Sequence, residues 1–389
     1  MPLQPWMKLL STDDHLIEKP NLWTDRLPRR WQEMGPHIVE EPQADGQPPN
    51  QVWHYEGNRF PSIGLNAVAG KLPEQYGFEP VRFDDMLPGC YDPVERITDM
   101  DIDGVWGAMC FPSFPGVAGR VFTRAADKEL AAACVAAYND FVLDEWCPTA
   151  PDRFIPAVLV PMWDPDAAAK EARRTHAKGA RAICFTENPV PLGLPSFHTD
   201  HWDGFFSTVE ELDMPLACHF GSSSSAPITA PDAPMAVMIA LFGTNSMDAA
   251  ADLVFSPVFH RHPNLKFSLA EGGIGWMPYL IERCDQVWEK HRFYQNVNQY
   301  VRPSELFRKH IFGCFIDDVH GLENRYRIGI ENITWECDYP HSDSAWPHSR
   351  KRAADVFRDI PDDEVHRIVE LNTRRLYNFA DTCVPITAG

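Results

Sequence analysis

Asn332-Ile-Thr-Trp-Glu-Cys-Asp-Tyr-Pro-His341 decides how the chain is to be read. Its apolar run is short enough for one buried strand, it stops on Asp338, and a proline and a histidine follow at once. A carboxylate at the C-terminal end of a strand, just before a turn, is how a (β/α)8 barrel presents an acid or a metal ligand at its mouth. Acids also cap ordinary strand-to-helix turns, so one such residue decides nothing alone. Three further strand ends, distant in sequence, finish on metal-binding side chains as well.

Outward from that stretch, apolar strands are expected at about 8–14, 105–111, 154–162, 180–186, 215–220, 266–271, 310–316 and 332–338. Helical periodicity separates them at roughly 127–146, 164–178, 202–213, 234–254 and 276–291, and a last helix covers about 361–379. Near-continuous apolar strands alternating with helices pair in parallel. Eight such units predict an α/β fold of the (β/α)8 TIM-barrel type, not a doubly wound sheet, because no GxGxxG opens the first crossover. Residues from about 19 to 95 break the pattern with prolines, a polar stretch (EEPQADGQPPNQ) and a hairpin in QVWHYEGNRF. They hold too few apolar residues for a core of their own. They are expected to form an N-terminal loop and hairpin insertion over the barrel mouth, within a single domain spanning 1–389. The GGIG after Glu271 falls short of a phosphate-binding run and reads as a tight turn beneath the site.

Charge narrows the partners. The chain has 55 acidic and 35 basic residues, a net charge of −20, whereas nucleic acid and anionic membranes both require a basic face. A small molecule, bound where charge is locally positive or neutralised by a metal, fits better. No apolar run approaches membrane-spanning length, and the start (MPLQPWMKLLSTDDH) lacks a signal-peptide apolar core. The ten cysteines include no CxxC pair and several fall within strands, as expected of buried thiols in a reducing cytoplasm. The proline-rich insertion is of a kind that forms dimer contacts, which leaves a homo-oligomer open.

In STDDHLIE, Asp13 and His15 stand two residues apart and point to one face of an extended strand. ACHFGSSSS places His219 at the end of the fifth strand, and SLAEGG places Glu271 where an acid is costly to bury unless paired or metal-bound. Asp13, His15, His219 and Asp338 together offer two imidazoles and two carboxylates. That set suits one divalent ion, Zn²⁺ first and Mn²⁺ or Fe²⁺ next, with a coordinated water left over. Asp338 would then manage a proton, assisted by Glu271 or His341. No lysine ends the fourth strand (ARAICFTENP), which speaks for one metal and not a carbamate-bridged pair. On the substrate side stand Phe111, Phe114, Trp346 and the serines from Ser222 to Ser225, with Arg120, Arg59 or Arg325 to hold a carboxylate. Asp14 and Glu18 flank the first pair as supporting groups. His198, His201, His260 and His262 read as structural.

At these strand ends the sequence resembles the amidohydrolase superfamily, specifically the amidohydrolase-related group that includes aminocarboxymuconate semialdehyde decarboxylase and the resorcylate-type decarboxylases. The motifs are STDDHLIEKPNLW, YDPVERITDMDIDGVWGAMCFPS, HFG, HPNLKFSLAEGGIGWMPYLIERCD, ENITWECDYPHSDSAWPHS and LNTRRLYNF, and they span nearly the whole chain. The resemblance implies that Asp13 and His15 form the first-strand ligand pair, His219 the fifth-strand ligand and Asp338 the eighth-strand acid. One position departs: where the characterised decarboxylases carry a histidine after the sixth strand, this chain has Glu271, as a general base, an extra ligand or a partner of His219 or His15. The leading expectation is therefore a metal-dependent hydrolase acting on a small cyclic or aromatic substrate through metal-bound hydroxide. The alternatives are a non-oxidative decarboxylase of an aromatic or enoic carboxylic acid, and a catalytically inactive binding protein.

Overall fold

The computed structural model describes residues 3–380 except 44, 45, 65, 78, 79 and 224; Ser224 and Cys383 thus lie outside the described residues. Its strands are β1 (Leu10–Leu16), β2 (His37–Glu41), β3 (Asn50–Tyr55), β4 (Asn58–Phe60), β5 (Gly107–Pro112), β6 (Phe154–Ile155), β7 (Ala157–Val158), β8 (Ala182–Phe185), β9 (Leu216–His219), β10 (Phe267–Ala270), β11 (Ile311–Phe315) and β12 (Ile333–Trp335). The main sheet runs β6-β5-β1-β12-β11-β10-β9-β8-β7, parallel throughout. β6 and β7 are two halves of one strand, parted at Pro156, which has no N–H to give to a ladder. The row therefore closes on itself as the eight-stranded TIM barrel expected from the sequence. Every residue of these barrel strands is buried, as in a parallel sheet covered by helices.

Two strands end earlier than expected. The third pairs only to Val158. β12 stops at Trp335, but the chain stays extended: Glu336 N donates to Phe315 O (3.2 Å) and Asp338 N to Asp13 O (2.7 Å). Asp338 is thereby tied to β1.

Helix starts follow from capping. Asp92, Asp127 and Asp164 each accept hydrogen bonds from two backbone N–H groups of the turn that follows, satisfying donors that no helix can pair internally. The helix expected at 127–146 runs Lys128–Phe141 and continues as a wider π-type turn over Val142–Trp146. The one expected at 234–254 is broken into Met235–Ala240 and Gly243–Phe255. Taken together, Met235–Phe255 has 21 residues and a mean hydropathy of 1.2, a membrane-spanning length and composition that the sequence reading passed over. The break leaves neither piece near the roughly 20 residues needed to cross a bilayer. Helices Pro303–His310 and Ser349–Val356 were not expected; both are too short to show clear periodicity.

In the N-terminal insertion, β2, β3 and β4 form an antiparallel sheet, and the hairpin turns at Glu56-Gly57 with φ of 48° and 72°. Positive φ at both central residues is what a tight hairpin requires. Buried Trp53 packs its ring 5.3 Å from Trp23 and 4.9 Å from Phe114, the latter on the loop after β5. Val68 N and Ala69 N both donate to Pro340 O (2.9 and 3.0 Å), joining the insertion to the loop that follows Asp338.

Candidate metal centre and active-site cavity

Asp13 and His15 come from β1, His219 from the end of β9, and Asp338 from just beyond β12. His15 Nε2 lies 3.4 Å from Asp13 Oδ1, 3.3 Å from Asp338 Oδ1 and 3.1 Å from His219 Nε2. His219 Nε2 lies 3.6 Å from Asp13 Oδ2. Ligand atoms sharing one ion at about 2.1 Å stand roughly 3.0–3.5 Å from each other, which is the spacing found. Both oxygens of Asp13 and both of Asp338 are buried with no aligned hydrogen-bond donor, an expensive state for a carboxylate unless a cation faces it. His219 Nδ1 meets Phe220 O at 2.7 Å, which keeps the proton on Nδ1 and turns the Nε2 lone pair inward. Asp13, His15 and His219 bring ligand atoms within 4.8 Å of one another, and so do His15, Asp338 and His341; each trio could hold a divalent ion, and His15 belongs to both.

The electrostatics agree. Burial, with Glu336, Asp338 and Glu271 close by, pushes the Asp13 carboxyl well above its usual range against the pull of His219. Burial opposes charge on His219, but Asp13 and Glu271 outweigh it and raise that imidazole well above normal. Burial and the neighbouring His341 hold His15 well below its ordinary value. Burial would lift Asp338, yet His341 and His15 keep it below the carboxylate range. His341 is raised despite burial because Asp338 lies beside it, Nδ1 to Oδ1 2.9 Å. The carboxyl of Asp13 is thus destabilised in its charged form, a demand that a divalent ion would meet.

Two acids, Glu271 and Asp338, adopt φ of 55° and 58°, a left-handed conformation that costs a non-glycine residue on the order of 1 kcal/mol or more. Glu271 N donates to Glu336 Oε2 (3.2 Å), and Glu271 Oε2 comes 3.0 Å from His219 Nε2. Burial pushes Glu336 up to about 8, and Cys314 Sγ donates to it at 2.6 Å. Sequence reasoning missed Glu336, although it stands two residues before Asp338 and so shares its face. The GGIG turn holds an internal carboxylate: Ile274 N (2.8 Å) and Gly275 N (2.6 Å) both donate to Asp318 Oδ2.

Above this cluster opens a cavity of about 420 Å³, with His219, Glu271, Asp338 and His341 at one end and Asn66, Ser342 and Asp343 at its lip. Arg120 lines it too, as expected of a substrate-side residue, and also borders a second cavity of about 440 Å³ that contains Arg59 and Arg124. Three other substrate-side expectations need correction. Phe111 is wholly buried beneath the site, its ring 5.1 Å from that of His219 and 6.0 Å from that of His15. Ser222 is turned away, because its hydroxyl donates to buried Glu187, which also accepts from Ser223 N at 2.7 Å. Trp346 Nε1 donates to Asp99 O (3.1 Å) and the ring packs near Tyr339.

Arg59 pairs with Glu41 and Arg325 with Glu364. Glu18 accepts from Ser113 N (3.0 Å) and Phe114 N (2.8 Å), fixing the loop after β5. Asp14 turns to Ser11 Oγ (2.7 Å) and, at 3.6 Å, to Arg96. His198 and His262 pair with Asp252 and Asp203 away from the centre.

Residues 37–379 match a family model described as Amidohydrolase. The chain belongs to the amidohydrolase family. This amidohydrolase is 30% identical over 302 residues to the gamma-resorcylate decarboxylase of Rhodococcus jostii (strain RHA1), covering 70% of this chain and 85% of that one. Among solved structures, an amidohydrolase of Mycobacterium avium subsp. paratuberculosis K-10 superposes with a TM-score of 0.74 at 23% identity, over 96% of this chain and 99% of the other. A 5-carboxyvanillate decarboxylase of Novosphingobium aromaticivorans DSM 12444, a mutant with bound manganese and 3-methoxy-4-hydroxy-5-nitrobenzoic acid, shares the fold: TM-score 0.65, 16% identity, 96% and 98% coverage. These findings overturn the expectation of a hydrolase, since the curated relative matched over most of the chain is a decarboxylase. The chain is an enzyme of this family with a divalent-metal donor set.

Proposed function

We propose that this amidohydrolase is a non-oxidative decarboxylase of an aromatic or enoic carboxylic acid, with Asp13, His15, His219 and Asp338 as its metal ligands. The observation that carries the reading is the buried Asp338–His341 pair, 2.9 Å apart, opening on the same cavity as the donor set, in a chain whose curated relative is a decarboxylase. Manganese is preferred to the zinc first expected, because a carboxylate-rich set suits a harder ion and a related decarboxylase holds manganese.

When bound, the ion supplies a Lewis acid that holds the substrate's hydroxyl or carboxylate oxygens. His341 passes a proton across the 2.9 Å contact to Asp338, which delivers it to the ring or alkene carbon that bears the carboxylate. The bond to that carboxylate then breaks, its electron pair stays with the carbon skeleton, and carbon dioxide leaves with a hydrogen in its place. A proton from solvent then restores His341. Glu271, whose Oε2 stands 3.0 Å from the metal-facing Nε2 of His219, would add a further carboxylate on the ion's side. The apolar part of the cavity keeps water from the carboxylate, which favours the uncharged product.

The test is carbon dioxide release by the manganese-loaded protein from a panel of hydroxybenzoates and hydroxycinnamates, followed against loss of the acid. One carbon dioxide per acid consumed is expected. A folded, manganese-loaded protein that releases none from any acid of the panel overturns the proposal.

A further inference from the structure

The cavity has two chemically different linings. Besides the acids and histidines, it is lined by Val117, Phe220, Met235, Met238, Ile239 and Phe242. Phe220 follows His219 directly in the chain, and its ring stacks on that of Phe242 with centroids 3.8 Å apart at 28°. An aromatic shelf thus begins one residue from a metal ligand and runs outward.

Beyond it lies the helix Met235–Ala240, sequence MAVMIA, none of whose residues is buried by the protein itself. An apolar face left half-covered beside a catalytic centre is a surface for something apolar. Among the described residues lining the cavity, Arg120, next to Gly116, is the one Lys or Arg. At about 420 Å³ the space lies in the roughly 300–1,000 Å³ range that takes drug-sized ligands, well beyond a lone benzoate ring.

We propose that the substrate is a carboxylic acid whose ring carries a bulky apolar substituent, a second ring or an alkyl chain, seated on Phe220, Met238, Ile239 and Phe242. The position of the carboxylate rests on the decarboxylase reading above; the apolar subsite does not.

The experiment is calorimetric titration of the manganese-loaded enzyme with 2-hydroxybenzoate and with its 4-phenyl and 5-phenyl derivatives, alongside carbon dioxide release from each. At least one phenyl acid is expected to bind on the order of thirtyfold tighter than the parent, from burial of its second ring. Ile239→Asp should reduce that preference, read as the ratio of phenyl-acid to parent affinity, to about threefold or less. Met238→Ser serves as the milder variant should Ile239→Asp not fold. Equal affinities of all three acids for the unaltered enzyme overturn the proposal, and so does a preference that survives both substitutions. A change of oligomeric mass in Ile239→Asp with the ligand preference intact assigns the face to a second copy and likewise overturns it. Tight phenyl-acid binding without carbon dioxide upholds the apolar subsite and removes the decarboxylase reading; carbon dioxide from the parent with no gain for the phenyl acids does the reverse.

Discussion

Glu271 and Asp338 do different work from similar backbone. Each ends a strand in the left-handed region, but Asp338 faces His15 and His341 whereas Glu271 faces His219. Asp338→Asn is therefore expected to lower turnover about 10³-fold or more by removing the proton carrier. Glu271→Gln should cost about 10- to 100-fold, by weakening a carboxylate that stands beside the metal-facing nitrogen of His219. Steady-state kinetics on the two variants at matched metal content decides it, and Glu271 has no part in the reaction if its variant turns over normally. Chelation should abolish activity and manganese restore it, while His219→Ala should retain well under one ion per chain by elemental analysis. The candidate ligands were legible because metal-binding side chains at strand ends stand out against apolar runs. Ser222 and Trp346 misled because a loop side chain's direction is set by partners far away in sequence, here Glu187 and Asp99. Hydrolysis and decarboxylation were inseparable at this scale, since both use two imidazoles, two carboxylates and an acid.

At the level of elements, the turn after β10 depends on close backbone approach. A Cβ added at Gly272 would run into Ser246 Oγ and lie 2.8 Å from Ser246 Cβ, on helix Gly243–Phe255. Gly272→Ala should therefore destabilise the protein by about 1–3 kcal/mol, with Ser246→Gly restoring much of the loss. Urea unfolding of the single and double variants checks this. Barrel strands could be placed from sequence because all their residues are buried and the runs are unbroken. The break after Ala240 could not, because the apolar pattern continues through Leu241 and Phe242 and only the stacking of Phe242 on Phe220 distinguishes them.

Across the whole molecule, acid stability is coupled to a histidine far in sequence from the ligands. His310 precedes β11, its Nδ1 meets Leu265 O at 2.7 Å, and its ring stacks 4.1 Å from Phe259. Burial pushes it down from 6.5 to about 4. The folded state thus keeps it neutral where the unfolded chain takes up a proton. Its contribution is whole above pH 6.5 and is lost as pH falls toward 4, by about 3 kcal/mol in all. His310→Gln should flatten the acid limb of a urea-midpoint profile between those values; a limb of unchanged slope rules His310 out.

The divided third strand has a mechanical consequence. β6 and β7 are two residues each, and Pro156 between them brings no amide hydrogen. A hoop with one short stave parts at that stave first, so deuterium should enter the amides flanking Pro156 before those of β9 to β12. The joint between β1 and β12, where Asp338 N is latched to Asp13 O at 2.7 Å, would stay shut through such openings, letting the barrel breathe without scattering its candidate ligands.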